Sequence, residues 1–422
     1  MLIIKHNILR EKVGQKPSKS KEEKLMKTKV LAALIVFAMC LAAAACGGSP
    51  AAPAPAGTPN QDASGGTADA LSHAGEAGDL GGVLGAELVM IINADNALGI
   101  NDRGWNAQGW SGFQSYAEAN GMTATWYRPG DNSTQGYLNA ISTAINSGGQ
   151  VVVGMGVQTL AAIEVAREDY PNVKFISVES FIGDDASMTP NHLSLIHALH
   201  EGGYLAGMTA VSAGFKEIGI ITGRDVIGMT MWTWGMIQGV NDTAARLGIN
   251  DINLRHTFMN SSTATPETQA LAASWYADGV EVILCMVAGG NNSVFAAATA
   301  ANMPVFGADV DQSGESPMVL TSPIRLLDIS LVDAVGTAFD GTFQGGREIY
   351  RDTNDGFMGM ATETWRLDEF GYTVEDYNRD LEDFKNDVGG KRTGIITPLT
   401  HPAIEDDLWA ALDQHINFNH IR

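Results

Sequence analysis

Short runs rich in Val and Ile recur from residue 87 onward in this 422-residue chain. Most end in Gly, Asn or Asp and lead into a stretch with apolar residues at helical spacing. "ELVMIIN" precedes 106–120, "QVVVGMG" precedes 159–170, "VKFISVES" follows, "EIGIITG" precedes 229–247, "VEVILCMVAGG" precedes 291–301, and "MPVFGADVD" closes the series. A run that is apolar throughout, rather than at alternate positions, reads as a strand buried on both faces. Such strands joined by helices form doubly wound parallel sheets. The series breaks near the Gly-rich "EGGYLAGMTAVSAGF", which predicts two similar α/β lobes, and the length suits two lobes plus tails.

In open parallel sheets, ligands bind beyond the C-terminal ends of the strands. Here those ends are Asn93 to Asn106, Gly154 to Gly156, Glu179, Gly223 to Trp232, Ala288 to Asn292 and Gly307 to Asp311. Nearly all carry Gly, Asn or Asp, and two add tryptophan. The pattern is that of a cleft with polar fingers and aromatic plates.

The N-terminus sets the compartment. "MKTKVLAALIVFAMCLAAAACGG" from Met26 has a short basic start and then an apolar core too short and Ala-rich for a membrane span, the pattern of a secretion signal. Ala-Ala-Ala-Cys ending at Cys46 resembles a bacterial lipobox, in which the cysteine is lipidated after cleavage; Ala43 stands where Leu is usual. The alternative is ordinary secretion with Cys46 incidental. The 25 residues ahead of Met26 do not fit a signal, as a start codon placed too early would explain. Residues 47–86, rich in Gly, Ala, Pro and Ser, read as a tether.

The formal charge is −22, and the first 46 residues are basic, with nine Lys/Arg against three Glu. The remainder holds 17 Lys/Arg against 45 Asp/Glu, and so acidic a body argues against nucleic acid as a partner. Cys285 is the single thiol of the body and lies in an apolar run, so a buried small hydrophobe is expected there and no internal disulfide.

Trp105 and Trp232 each lie near a helix start beyond a strand end. Either stacks on a planar ligand, a contact worth roughly 1–3 kcal/mol per base, or packs into its lobe. Asn106 offers an amide that donates and accepts, suited to the edge of a purine. Trp110 and Phe113, a turn and more onward, belong to the core. Gly289, in "VAGGNNSVF", marks a helix start with free backbone N–H groups. Asp309 and Asp311 fall at calcium-loop positions, but Leu320 stands where a bidentate Glu is needed, so no metal is assigned. Asp309 is read as an acceptor for sugar hydroxyls and Asp311 as structural. His192, His197 and His200 lack the spacing of a zinc site and read as solvated or interlobe. No triad or nucleophile elbow is visible.

Taken in order, these segments resemble the basic membrane protein family of ABC-transporter substrate-binding lipoproteins. "NDRGWNAQGWSGF" is similar to the family's D-K-S-F-N-Q-x-x-W-x-G-F, and "EGGYLAGMTA" to its E-G-x-L-A-G. "GRDVIGMTMWTWGMIQG" keeps a Gly, an aromatic nine residues on and a Gly beyond. "VAGGNNSVFAAA" parallels A-G-G-T-G-x-G-V-F, while "FGADVDQ" and "VLTSPIRLLDISLVDAV" match its G-V-D-x-D-Q and T-S-x-x-K-R-x-D blocks.

The resemblance implies a type I periplasmic-binding fold, two lobes joined by a hinge of three crossing segments. The expected boundaries are 87–213 with 308–345 for the first lobe and 214–307 with 346–422 for the second. By the same resemblance Trp105 stacks on a base, Asn106 reads its edge, Asp309 binds ribose hydroxyls, Arg325 stands where the family has Lys, and Asp102 matches the family Asp. Asp95 or Asn96 lies near the family's earlier Asp. An acid expected near "GVQTLAA" is missing, with Thr159 the nearest substitute.

The reading is a lipid-anchored, extracytoplasmic binding protein of an ABC importer. It is not an enzyme and has no cofactor; it takes a purine nucleoside or related heterocycle between its lobes and delivers it to a permease. The alternatives are a calcium-dependent nucleoside hydrolase built on Asp309 and Asp311, or a ligand-sensing receptor.

Overall fold

A computed structural model describes residues 86–95, 98–183, 187–400, 409–410 and 412–421. The signal, Cys46 and residues 47–85 of the tether lie outside the described residues, as does Asn96.

The first sheet holds β1 (Leu88–Ile91), β2 (Ala124–Tyr127), β3 (Val151–Met155), β4 (Lys174–Val178), β5 (His192–His197) and a later strand, Arg347–Arg351, in the order Arg347–Arg351, β5, β4, β3, β1, β2. Its pairings are all parallel. The second sheet runs Asn417–His420, β7 (Asn253–Phe258), β6 (Glu217–Thr222), β8 (Val282–Met286), β9 (Val305–Phe306), again parallel. A short antiparallel pair, β10 (Pro323–Arg325) with β12 (Met358–Met360), lies apart from both, and Arg347–Arg351 and Asn417–His420 are β11 and β13.

The helices are α1 (Trp105–Asn120), α2 (Thr134–Asn146), α3 (Leu160–Asp169), α4 (Leu199–Ser212), α5 (Ile227–Leu247), α6 (Pro266–Ala277), α7 (Asn291–Ala301), α8 (Leu327–Asp340) and α9 (Val374–Lys385). Alternate side chains of a strand serve opposite faces. Thus Leu88 and Met90 pack with Phe113 of α1 and Leu331 of α8, whereas Val89 and Ile91 pack with Tyr137 of α2 and Ile163 of α3. In the second sheet Ile218 and Ile220 meet Leu205 of α4 and Met236 of α5, while Ile221 and Cys285 meet Trp275 of α6 and Val294 of α7. Cys285 is fully buried, with its thiol pushed up by burial, as a core residue would be.

The Gly-rich segment is a helix rather than a break. Gly203 and Gly207 of α4 face Gly235 and Gly239 of α5, and the two backbones touch. A Cβ on Gly203 would lie against the Trp232 carbonyl oxygen, and one on Gly235 against that of His200, both closer than real Cβ atoms come. Only glycine permits this approach.

This packing moves the expected boundaries. α4 lies in the second lobe although residues up to 213 were expected in the first, and β11 pairs with β5 in the first sheet although residues from 346 were expected in the second. The chain therefore crosses between β5 and α4, near β10, and between β11 and β12. Arg392 Nη1 reaches Glu201 at 3.3 Å and Asp352 at 3.1 Å, tying the first crossing to the third.

Candidate functional site

Both sheets reverse their winding at one point, between β1 and β3 in the first and between β6 and β8 in the second, and a crevice opens where strand order reverses. The loops at these two points meet. Arg224, after β6, pairs with Asp95, after β1, at 2.7 Å. A Cβ on Gly289, after β8, would lie 3.8 Å from Leu98 Cδ1. A second ion pair, Arg103 to Glu315 at 2.8 Å, joins the α1 entry to the segment that follows β9.

Asp102 organises the entry to α1. Its carboxylate accepts from the backbone N–H groups of Gly104 (3.1 Å), Asn106 (3.1 Å) and Ala107 (3.0 Å), and from Asn106 Nδ2 at 2.7 Å. Helix N-termini leave such donors unsatisfied, and a carboxylate there also meets the positive end of the helix dipole. Gly104 occupies the N-cap position and has no side chain to offer, so Asp102, two residues earlier, supplies the capping acceptor for α1. Through it Asn106, 3 % exposed, has one amide hydrogen committed, and its buried Oδ1 has no protein partner.

Trp105, beside it, presses its ring edge on Gly156, where a Cβ would come within 3.0 Å of Cη2. Gly156 has φ +88°, so both space and backbone require glycine at the end of β3. The indole Nε1 is buried without a partner. Arg325 lies over the indole with Cζ 5.3 Å from the ring centroid, a cation–π geometry.

Arg325 is 4 % exposed and shared by two carboxylates. Nη1 donates to Glu179 Oε1 at 2.9 Å; Nη2 stands 2.8 Å from Asp309 Oδ1, a close ion pair lacking the alignment of a hydrogen bond. Burial pushes the Asp309 carboxyl up, Arg325 opposes that, and the charges of Glu179 and Asp102 add to it. Trp105, Asn106, Asp309 and Arg325 are therefore brought together.

Trp232 is not. It is 2 % exposed in α5, and its ring fills the space beside Gly202, where a Cβ would meet ring atoms, so the second tryptophan packs in the core. Gly289 sits at the loop junction in the turn Ala288–Gly290 ahead of α7, where the Asn291 side chain is committed inside the protein: its Oδ1 accepts from Val287 N and its Nδ2 donates to Gln312. Thr159 donates its hydroxyl to Gly156 O at 2.8 Å. Asp311 accepts from Ser313 N and the Thr364 hydroxyl, so Asp309 and Asp311 serve different partners and do not form a paired acid site.

The three histidines, read as solvated or interlobe, are not solvated at His192 and His197: His192 is fully buried between Arg167 and Ser177 and His197 between Glu179 and Ser330, while His200 sits near Arg392, its pKa lowered to about 4 by burial. Glu179 was expected only as one of the strand ends and His197 only as solvated or interlobe; the signal for Glu179 was an acid directly after an apolar strand.

A family model described as an ABC transporter substrate-binding protein, PnrA-like (Bmp), matches residues 88–386. The ABC transporter nucleoside-binding protein BmpA of Lactococcus lactis subsp. cremoris is 26 % identical over 291 residues, 64 % of this chain and 80 % of that one. A CD4+ T-cell-stimulating antigen of Listeria monocytogenes is 25 % identical over 310 residues, 68 % and 84 % of the two chains. Among solved structures, an ABC transporter solute-binding protein from Aeropyrum pernix K1 has a TM-score of 0.63 at 17 % identity, covering 74 % of this chain and 94 % of that one.

Proposed function

Because the chain belongs to the Bmp family of PnrA-like ABC transporter substrate-binding proteins, we propose that its ligand is a nucleoside held between the two lobes and that Trp105, Asn106, Asp309 and Arg325 hold it. The observation that carries the reading is the convergence of an indole, an unpartnered amide oxygen and a guanidinium–carboxylate pair at the reversal point of the first sheet. A similar protein, 26 % identical, is described as nucleoside-binding.

In this reading the indole covers the base and Asn106 Oδ1 accepts from its edge, which favours a base with a ring N–H or exocyclic amine there. Asp309 accepts from sugar hydroxyls. Since Asp95, Arg224, Arg103 and Glu315 meet only when the lobes are together, ligand and rim contacts both favour the closed state, the differential affinity that a shift of population needs. The closed form would be the one a permease engages. Cys46 would carry the lipid that holds the protein at the outer face of the cell membrane.

The test is a thermal-shift screen of inosine, guanosine and adenosine, with calorimetry on any hit, since a ligand of the folded state raises its apparent stability. Trp105→Ala is expected to abolish binding with the fold intact; unchanged affinity in that variant rejects the stacking role. Free base and ribose accumulating with turnover would replace the binding reading with hydrolysis.

A further inference from the structure

Glu179 follows the last residue of β4 in a left-handed conformation, φ +54°, uncommon for a residue with a side chain. It is 6 % exposed and tightly held: Oε1 accepts from His197 Nδ1 at 2.8 Å and from Arg325 Nη1 at 2.9 Å, and Oε2 accepts from His197 N at 3.4 Å. His197 Nε2 in turn is 2.9 Å from the Ser330 hydroxyl of α8. The guanidinium is thus oriented from its Nη1 side by a carboxylate fixed to two neighbouring elements.

That orientation has a cost for the other partner. An arginine facing one carboxylate frequently makes two parallel hydrogen bonds to it. Here one terminal nitrogen is taken by Glu179, and Arg325 leaves Asp309 with a close but unaligned contact at Oδ1. We propose that Glu179 is a positioning residue: by holding Nη1 it fixes the guanidinium so that Nη2 alone approaches Asp309, out of alignment, while Nε stays unbonded, and so it keeps the Asp309 carboxylate able to accept hydrogen bonds from the vicinal hydroxyls of a ligand. The inference rests on the nucleoside reading and says which residue makes that reading work for the sugar.

The experiment is calorimetric titration of wild type and Glu179→Gln with a ribonucleoside that binds the wild type and with its 2′,3′-dideoxy analogue. A site built to bond hydroxyls rejects an analogue that lacks them. Glu179→Gln is expected to lose most of that preference, roughly tenfold or more, because Arg325 then closes on Asp309, while affinity for the dideoxy compound stays within about threefold. Adding Arg325→Lys should restore part of the preference, since an ammonium cannot fork. Should Glu179→Gln fail to fold, Glu179→Asp, which withdraws the carboxylate by one methylene, is expected to show the same loss.

A preference that survives in the variant overturns the inference, and so does an equal fall in affinity for both compounds, the mark of a purely structural role. In either case the wild type still binds and the nucleoside reading stands. A wild type that binds no nucleoside overturns both.

Discussion

Replacing Asp102 separates a cap from a ligand contact. In Asp102→Ala three backbone N–H groups at the start of α1 lose their acceptor, and Asn106 loses the anchor of its amide. Loss of a helix cap costs about 0.5–2 kcal/mol. Removing a negative charge from the helix N-terminus adds about 0.3–1 kcal/mol. The combined loss is about 1–3 kcal/mol of folding stability, at the lower end because Asp102 is half-buried and water can reach part of the freed donors. Asp102→Asn keeps an acceptor oxygen and loses the charge, so about half that cost is expected. Urea titration at constant slope reads the stability, and calorimetry on the same samples reads the nucleoside affinity. Affinity should fall together with stability, because Asn106 is set by the same carboxylate. Asp102→Ala that weakens binding by more than tenfold at unchanged urea midpoint would refute the cap and make Asp102 a direct ligand contact.

Trp232→Ala should cost about 3–5 kcal/mol in a urea titration, the usual range for emptying a large aromatic site, with nucleoside affinity of the folded fraction unchanged; lost affinity at full stability would return the ring to the cleft. Acid should act through buried His200. His200 is held neutral, its pKa lowered from 6.5 to about 4, so the unfolded chain binds the extra proton between those values and stability falls as pH drops through that window. His200→Gln should lessen this fall by about 1.4 kcal/mol per pH unit, and an unaltered slope from pH 6.5 to 4 counts against a neutral buried imidazole. Reversing Arg224 to Glu breaks the rim pair with Asp95, an exposed contact worth about 0.2–1 kcal/mol, so affinity should drop by no more than about fivefold and recover with Asp95→Arg; no recovery would mean the pair does not bridge the lobes.

The strands legible in the sequence are those buried on both faces, such as β1, β3 and β8, because helices covering both sides of a sheet demand an apolar residue at every position of the strand between them. β2 carries no such signal, since all four of its residues are only half-buried, and in β7 the burial is broken by Asn253 and Arg255. β5 reads in the sequence as part of a histidine cluster; His192 and His197 are tolerated inside only because Arg167 and Glu179, 25 and 18 residues earlier, arrive beside them. The site divides the same way. Trp105, Asn106 and Asp309 stand out by their place at strand ends, whereas Glu179 gains its meaning from Arg325, 146 residues away. Trp232 misleads because a strand end followed by a tryptophan says nothing of the Gly202 that admits the ring.

The glycine seam between α4 and α5 bears on how the molecule moves. Helices that slide past one another need side chains that can repack in small steps. Gly203, Gly207, Gly235 and Gly239 set backbone against backbone, and a slip along that seam would carry residues that bear a Cβ to places where only glycine fits. The seam thus resists sliding and ties α4 to α5 and the core of the second lobe. The first crossing has the single residue Ala198 between strand and helix, and the Glu179–His197 contact stands at the strand edge of that pivot.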